Sequence, residues 1–467
     1  MTRHVLVVGA GPAGLAAAEA ALRAGAPVTL LDSADQPGGQ YHRMLPEAYA
    51  ARDPQRVQHG WNAFDRQRRA VLGHPRCTWW PRTSVWTLEQ RDAGPPRVHV
   101  LRGGVDGEGR RREVVEPDAL VLAPGAHDRV LPFPGWDLPG VCTAGAAQAF
   151  AKGERVVLGD RVVVAGTGPF LLPVAASLME AGSHVVEVLE ANPVSTVAGG
   201  WAGRPWELLP HAAKARELAE HAWDLLRHRT PYRTGRAVVA ARGDGRVAEV
   251  VTARLRPDWS PVPGTERTTA VDAVCVGHGF VPQLELFVSA GCALRDGFVA
   301  VGADQRTSTD GVFAAGEVTG IAGAPAARAE GAIAGWCAAG GDPAALRSEL
   351  RHRDRGRAFA RRLLRAHPVG PGWVQWLHPD TVVCRCEETT CGDLRRALAE
   401  PGGSGARAVK LATRAGLGPC QARMCGGAVA ELARRSGGQE AFGHARPIAQ
   451  PVRLGELASA TAEEEER

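Results

Sequence analysis

Near its start the chain places a strand, a glycine turn and a helix in immediate succession. The apolar run Val5–Val8 enters Gly9-Ala10-Gly11-Pro12-Ala13-Gly14, an alanine-rich helical stretch follows, and a second apolar strand ends at Leu31. That order is the beginning of a parallel strand–helix–strand unit, and it sets the fold class as α/β. Gly9 allows the tight bend, and Gly14 lets helix and strand approach closely. Gly11 keeps the backbone open to a pyrophosphate, and Pro12 and Ala13 complete the turn as the helix begins. The first helical amides and the helix dipole then face the negative charge. Asp32, about twenty residues beyond the turn, stands where a carboxylate accepts hydrogen bonds from a ribose hydroxyl.

The same pattern returns at residues 161–189. A strand runs into Gly166-Thr167-Gly168-Pro169-Phe170-Leu171, with Leu171 in place of the third glycine, and Glu190 follows where Asp32 follows the first turn. Leu171 is expected to push helix and strand slightly apart. A carboxylate at 190 favours NAD over NADP, because it repels a 2′-phosphate. Gly166, Gly168 and Glu190 are therefore the candidate ligands of NAD. The alternative is a domain that keeps the fold and binds another adenine nucleotide or nothing.

A chain of 467 residues is too long for one ordinary core. Residues 79–88 and 97–101 read as strands of a small sheet, 103–112 as a loop, and 132–140 as a linker into the second unit. Residues 206–227 read as a helix, Gly243-Asp244-Gly245 as a hairpin turn, 271–276 as a buried strand, and 346–366 as an arginine-studded helix. The expected partition is 1–130 with 288–345 as the first nucleotide-binding domain and 131–287 as the second. A helical linker at 346–380, a cysteine domain at 381–450 and a tail at 451–467 complete it, with Glu463 to Glu466 disordered.

The net charge of +5 is small and both signs are interspersed, which argues against a nucleic-acid stripe. No apolar run is long and charge-free enough for a transmembrane segment. Met1 to His4 lead directly into the first strand without a signal-peptide core, so the expected location is cytoplasmic.

Five of the ten cysteines fall between Cys384 and Cys425. In a reducing compartment such a cluster points to metal rather than to disulfides. Cys384-Arg385-Cys386 and Cys420-Gln421-Ala422-Arg423-Met424-Cys425 form two close pairs separated by a helix-sized segment, and four converging thiolates suit zinc or a 2Fe-2S cluster. Cys391 sits where a helix begins, so it reads as a buried or capping thiol. The other cysteines, Cys77, Cys142, Cys275, Cys292 and Cys337, read as core residues. No Cys-x-x-Cys falls in the first half, which disfavours disulfide-reductase chemistry. Neither a catalytic triad nor paired catalytic carboxylates are evident, His278 between two glycines reads as structural, and the catalytic residue stays unassigned.

Further motifs carry a resemblance. Residues 120–125, an apolar strand ending at Gly125, and Gly311-Val312-Phe313-Ala314-Ala315-Gly316-Glu317 resemble the segments with which two-dinucleotide flavoproteins close over FAD. An Asp is usual where Glu317 stands. Pro37-Gly38-Gly39-Gln40-Tyr41-His42-Arg43, residues 133–141 (FPGWDLPGV) and the two cysteine pairs together resemble the larger, FAD-binding subunits of hydrogen cyanide synthase, opine oxidase and D-hydroxyproline or proline dehydrogenase. The cysteine region is similar to the bacterioferritin-associated ferredoxin type, whose second pair is more tightly spaced.

The resemblance implies two Rossmann-like domains and a small C-terminal cysteine-rich helical domain. It implies FAD on Gly9, Gly11, Gly14, Asp32, Gly39, Gln40, Gly316 and Glu317, and a 2Fe-2S cluster on Cys384, Cys386, Cys420 and Cys425. It further implies a heteromer, with a smaller flavin-containing subunit that oxidises the substrate and a small ferredoxin-like subunit as a further partner. The chain then relays electrons from an amino or imino acid, namely D-hydroxyproline, proline or an opine. The competing readings are a self-sufficient NADH-dependent reductase that passes electrons through FAD and the cluster to a carrier protein, and a non-redox assembly subunit with structural zinc.

Overall fold

The computed structural model describes residues 3–46, 49, 53–58, 60–203, 212–400, 405–437 and 448–458. The chain divides into two units, each assembled from separated stretches. One comprises residues 1–127, 282–360 and 444–467, and the other residues 128–281 and 361–443.

The first unit is built on a five-stranded sheet in the order Val312–Ala314, Ala119–Leu122, Val5–Val8, Val28–Leu31, Cys77–Trp80, with every pairing parallel. Its strands are apolar throughout because both faces are covered. Val5 and Val7 join the core under helices Pro12–Arg23 and Ala324–Ala338. Leu6 and Val8, one residue out of phase, join the opposite core with Val85, Val98 and Val100. The helices touch through backbone. A Cβ on Gly331 would lie 2.0 Å from the Ala13 carbonyl oxygen, and one on Gly335 would lie 1.9 Å from that of Ala17.

The small antiparallel sheet consists of Thr83–Glu89, Arg97–Arg102 and Arg111–Val115. Trp79 and Trp80 do not belong to it, contrary to expectation. They pair with Leu30 and Leu31 at the edge of the parallel sheet, and Pro81 with left-handed Arg82 (φ 47°) breaks the chain before the next strand. The expected tail also departs from the reading. Helix Leu454–Ala458 is held by a two-point Arg110–Glu456 pair at 2.6 and 2.7 Å, with both side chains nearly buried. Glu463 to Glu466 lie outside the described residues, as does the start of the helix expected from Trp206, which is seen as Ala212–Arg227.

The second unit repeats the parallel architecture in the order Tyr232–Thr234, His184–Glu190, Arg161–Gly166, Ala273–Gly277, Val141–Thr143. The hairpin expected at Gly243 joins Arg236–Arg242 to Glu249–Arg254. The helices Cys391–Ala399 and Gly426–Arg435 share one continuous core with this unit, reaching from Phe133 and Trp136 to Leu394 and Val429. Residues 132–140 are correspondingly packed and not a loose linker. Trp136 is 3% exposed, its indole donates to the Val382 carbonyl at 2.5 Å, and the Arg385 guanidinium lies over its ring.

Candidate cofactor sites

In the first unit Gly11 caps helix Pro12–Arg23, with Pro12 at its first position. A Cβ on Gly14 would lie 1.6 Å from the Gly9 carbonyl oxygen, so no side chain fits there. Gly39, from the distant GGQ segment, approaches so closely that its Cβ would lie 2.9 Å from the Gly11 Cα, while a Cβ on Gly11 would meet nothing nearer than 3.8 Å. Two bare backbones thus form a cradle at the positive end of a helix. Asp32 is half-buried beside it and accepts from the amides of Ala10 (2.6 Å) and Ala34 (2.8 Å). Burial raises its carboxyl above the ordinary range, and these amides offset part of the rise. Gln40 is exposed at the cradle's rim.

The turn expected to close this site is held by residues that sequence reasoning missed. Glu330, 2% exposed, accepts from the Gly316 amide at 2.9 Å and the Thr319 hydroxyl at 2.7 Å. Arg357 pairs with its other oxygen at 2.7 Å and also reaches Gln305. Burial pushes the Glu330 carboxyl up, and Arg357 opposes that. A glutamate in the alanine- and glycine-rich stretch Ala326-Ala327-Arg328-Ala329-Glu330-Gly331 was the available signal. Removing Arg357 would leave the buried Glu330 carboxylate without its opposite charge. Glu317 itself is half-buried and accepts from the Gly323 amide at 2.9 Å. Gly125 sits in a left-handed turn with open space where a Cβ would be.

At the second turn a Cβ on Gly166 would lie 1.8 Å from the Gly277 carbonyl oxygen, whereas one on Gly168 would meet nothing within 4 Å. Glu190 is completely buried, and His367 Nδ1 lies 2.9 Å from its carboxylate. His278 is buried among Trp259 and Trp376. Burial, followed by the neighbouring Arg129, pulls its imidazole down to about 4.

The four expected thiols are brought together as two hydrogen-bonded pairs, Cys384 with Cys425 and Cys386 with Cys420, all within electrostatic reach of one another. The bond from Cys425, against burial, and the amides of Gly416, Glu387 and Cys386 bring the Cys384 thiol down to about 5. The Cys425 thiol is driven up by Cys384, by burial and by the charges of the other two. Among the described residues no three His, Cys, Asp or Glu are arranged around a single metal ion. The second loop carries consecutive left-handed residues, Gln421 (φ 51°) and Ala422 (φ 67°). Such strain persists only where the surroundings impose it, and it collects at functional sites. Thiols in pairs with amide donors aimed at sulfur form a donor set suited to an iron–sulfur cluster. Cys391 is buried as the first residue of its helix. Its neighbours Thr390 and Asp393 form a reciprocal cap there.

Residues 3–331 match the pyridine nucleotide-disulphide oxidoreductase family. The chain belongs to that family. Residues 382–435 match the BFD-like 2Fe-2S binding domain, so this member is an FAD-dependent oxidoreductase with an iron–sulfur domain. It is 33% identical to an opine oxidase subunit of Rhizobium meliloti, over 97% of this chain and 87% of the relative. It is also 33% identical to hydrogen cyanide synthase subunit HcnB of Pseudomonas aeruginosa, over 96% of each. The fold is that of L-proline dehydrogenase from P. horikoshii, with TM-score 0.66, 19% identity and coverage of 98% of this chain and 80% of that one. The opine oxidase and hydrogen cyanide synthase relatives are each named as a subunit. No helix among the described residues is long and apolar enough to cross a membrane.

Proposed function

We propose that this chain is the electron-relaying subunit of a heteromeric amino-acid or imino-acid dehydrogenase, with D-hydroxyproline, proline or an opine as substrate. The observation that carries the reading is the four-thiol set in a flavin-type chain whose full-length relatives are named as subunits. Bound flavin accepts electrons as a pair, and a cluster releases them singly to another centre.

In this reading the bare backbones of Gly11 and Gly39 receive the FAD pyrophosphate, and Pro12 and Ala13 lead its charge onto the helix amides. Asp32 accepts from the ribose, and Gln40 borders the site. Gly125, Gly316 and Glu317 would close over the flavin, and Glu330 and Arg357 fix the Gly316 turn. Cys384, Cys386, Cys420 and Cys425 hold the cluster, and Trp136 and Arg385 brace the first of their loops. The substrate's C–N bond is oxidised on a smaller flavin-containing subunit.

The test is anaerobic reduction by candidate amino acids. The isolated chain, carrying FAD and cluster, should leave its flavin oxidised. Adding the partner subunit should bleach the flavin and produce the reduced cluster's paramagnetic signal. Turnover of an amino acid by this chain alone, at the rate of the complex, overturns the proposal.

A further inference from the structure

The second turn has the spacing of an NAD site, yet the side chain that would define that site is already engaged. Glu190 Oε1 accepts from the Thr167 hydroxyl at 2.8 Å, the Asn192 amide at 2.9 Å and Asn192 Nδ2 at 3.1 Å. Oε2 accepts from the Gly168 amide at 2.8 Å and pairs with His367 Nδ1 at 2.9 Å. A carboxylate offers about four lone-pair positions, so these donors leave none for a ribose hydroxyl. With 0% of Glu190 exposed, no ribose reaches it either.

Asn192 continues the network into a later stretch of the same unit. Its Nδ2 donates to the Pro368 carbonyl at 3.0 Å, and its Oδ1 accepts from the Trp259 indole at 3.2 Å. Trp259 stacks with Trp376, whose own indole donates to the Trp259 carbonyl. The Gly372 amide donates to the Asp258 main-chain carbonyl at 2.6 Å, and a Cβ on Gly370 would lie 2.3 Å from the Trp259 ring. Residues 367–376 are therefore seated against the end of the second fold where a nucleotide's ribose would lie.

Leu171 adds an independent obstacle. At the first turn the Leu15 amide bonds the Gly11 carbonyl, an α-helical step, and the helix starts at once. At the second, Leu171 is 1% exposed and its amide bonds the Gly168 carbonyl in a tighter step, so the helix begins only at Leu171. The amides that would meet a pyrophosphate are displaced from the glycine.

We propose that the second dinucleotide fold excludes NAD(H), and that residues 367–376 of the same chain fill its ribose-recognising end and seat the cysteine region there. The residues present do not fit the nicotinamide cofactor, whichever substrate the complex oxidises, so this inference stands apart from the relay reading. It removes NADH as a source of electrons and assigns Glu190 and His367 to anchoring.

The experiment uses the full chain with FAD and cluster, titrated anaerobically with NADH and NAD+ by calorimetry and flavin absorbance. The expected result is no saturable binding of either up to millimolar concentration and no flavin bleaching by NADH. Saturable binding below that, or rapid bleaching, overturns the inference. In a second arm, Glu190→Gln and His367→Gln should each lower the thermal midpoint by several degrees and increase hydrogen exchange at residues 367–376. A nucleotide ligand waiting for its ribose would leave both unchanged, and that result also overturns the inference. If either variant fails to fold, the titration of the unaltered chain decides alone.

Discussion

The two glycine turns begin from nearly the same local sequence and end in opposite conditions. Around Gly11 the third glycine, the bare Gly39 and a half-buried Asp32 leave an open cradle. Around Gly168, Leu171 delays the helix and His367 closes over the acid. A glycine motif thus specifies the bend, while access is set by what distant chain lays beside it. The same strand-turn-helix grammar yields an open cradle in one unit and an already engaged acid in the other.

The largest expected effect comes from placing a leucine at each turn. Gly11→Leu fills the cradle in a protein that still folds, because a side chain starting at 3.8 Å from Gly39 has room at its base. The purified variant should be colourless. Gly168→Leu, also with space but with φ +97°, should lose roughly 1–2 kcal/mol to backbone strain and keep full flavin content. A yellow Gly11 variant, or a flavin-free Gly168 variant, breaks the contrast.

Acid titration gives an intermediate effect, with opposite signs at the two turns. His278 has a folded value of about 4 against an ordinary 6.5, so the unfolded chain binds the extra proton between those values. Its stabilising contribution is complete above 6.5 and falls by up to about 3 kcal/mol as pH drops to 4. Arg129 and Glu190 are the charges that face it. Glu190 adds to the loss at lower pH. Burial raises its carboxyl, but the His367 bond and charge with the Asn192 and Gly168 amides bring it below 4.5 overall, so its contribution goes as pH falls through that folded value. Asp32 runs the other way. Its carboxyl is raised by burial, so without cofactor the first turn gains stability as pH falls through the raised value. Denaturant midpoints from pH 7 to 4 should therefore fall steeply, and His278→Leu should flatten the decline. An equally steep decline in that variant places the acid sensitivity elsewhere.

The smallest effect is expected at Cys391. Cys391→Ser changes a buried helix-start thiol and should leave iron and labile sulfide equal and unchanged, whereas Cys384→Ser should remove both. Stoichiometric zinc in the unaltered protein contradicts the cluster assignment.

What could be read from the sequence was local. Strand, turn and helix around Gly9, their repeat at Gly166, the hairpin at Gly243 and the helix start at Cys391 depend on spacing within a few residues, and all appear in the structure. The four thiols, which the structure brings together, were legible because their two short spacings are local. The illegible features are pairings across long separations. Glu190 with His367, Arg110 with Glu456, and Trp136 with Val382 leave no periodic trace in either partner. Glu330 was readable in principle as an acid in an alanine-rich helix, but nothing local names Gly316 and Arg357 as its partners. Trp79 and Trp80 were misplaced because β propensity marks a strand without saying which sheet receives it.

The strand order of the first unit has a consequence for synthesis. Ala119–Leu122 pairs on one side with Val5–Val8 and on the other with Val312–Ala314, which emerges from the ribosome about 190 residues later. At ordinary elongation rates that delay is roughly 10–40 s, during which an apolar strand has one open edge. Helix Ala324–Ala338, whose glycines receive the carbonyls of helix Pro12–Arg23, arrives later still. The nascent first unit therefore waits for the whole of residues 128–281 to be made before its sheet can close, and chaperone demand in this chain should be greatest over that interval.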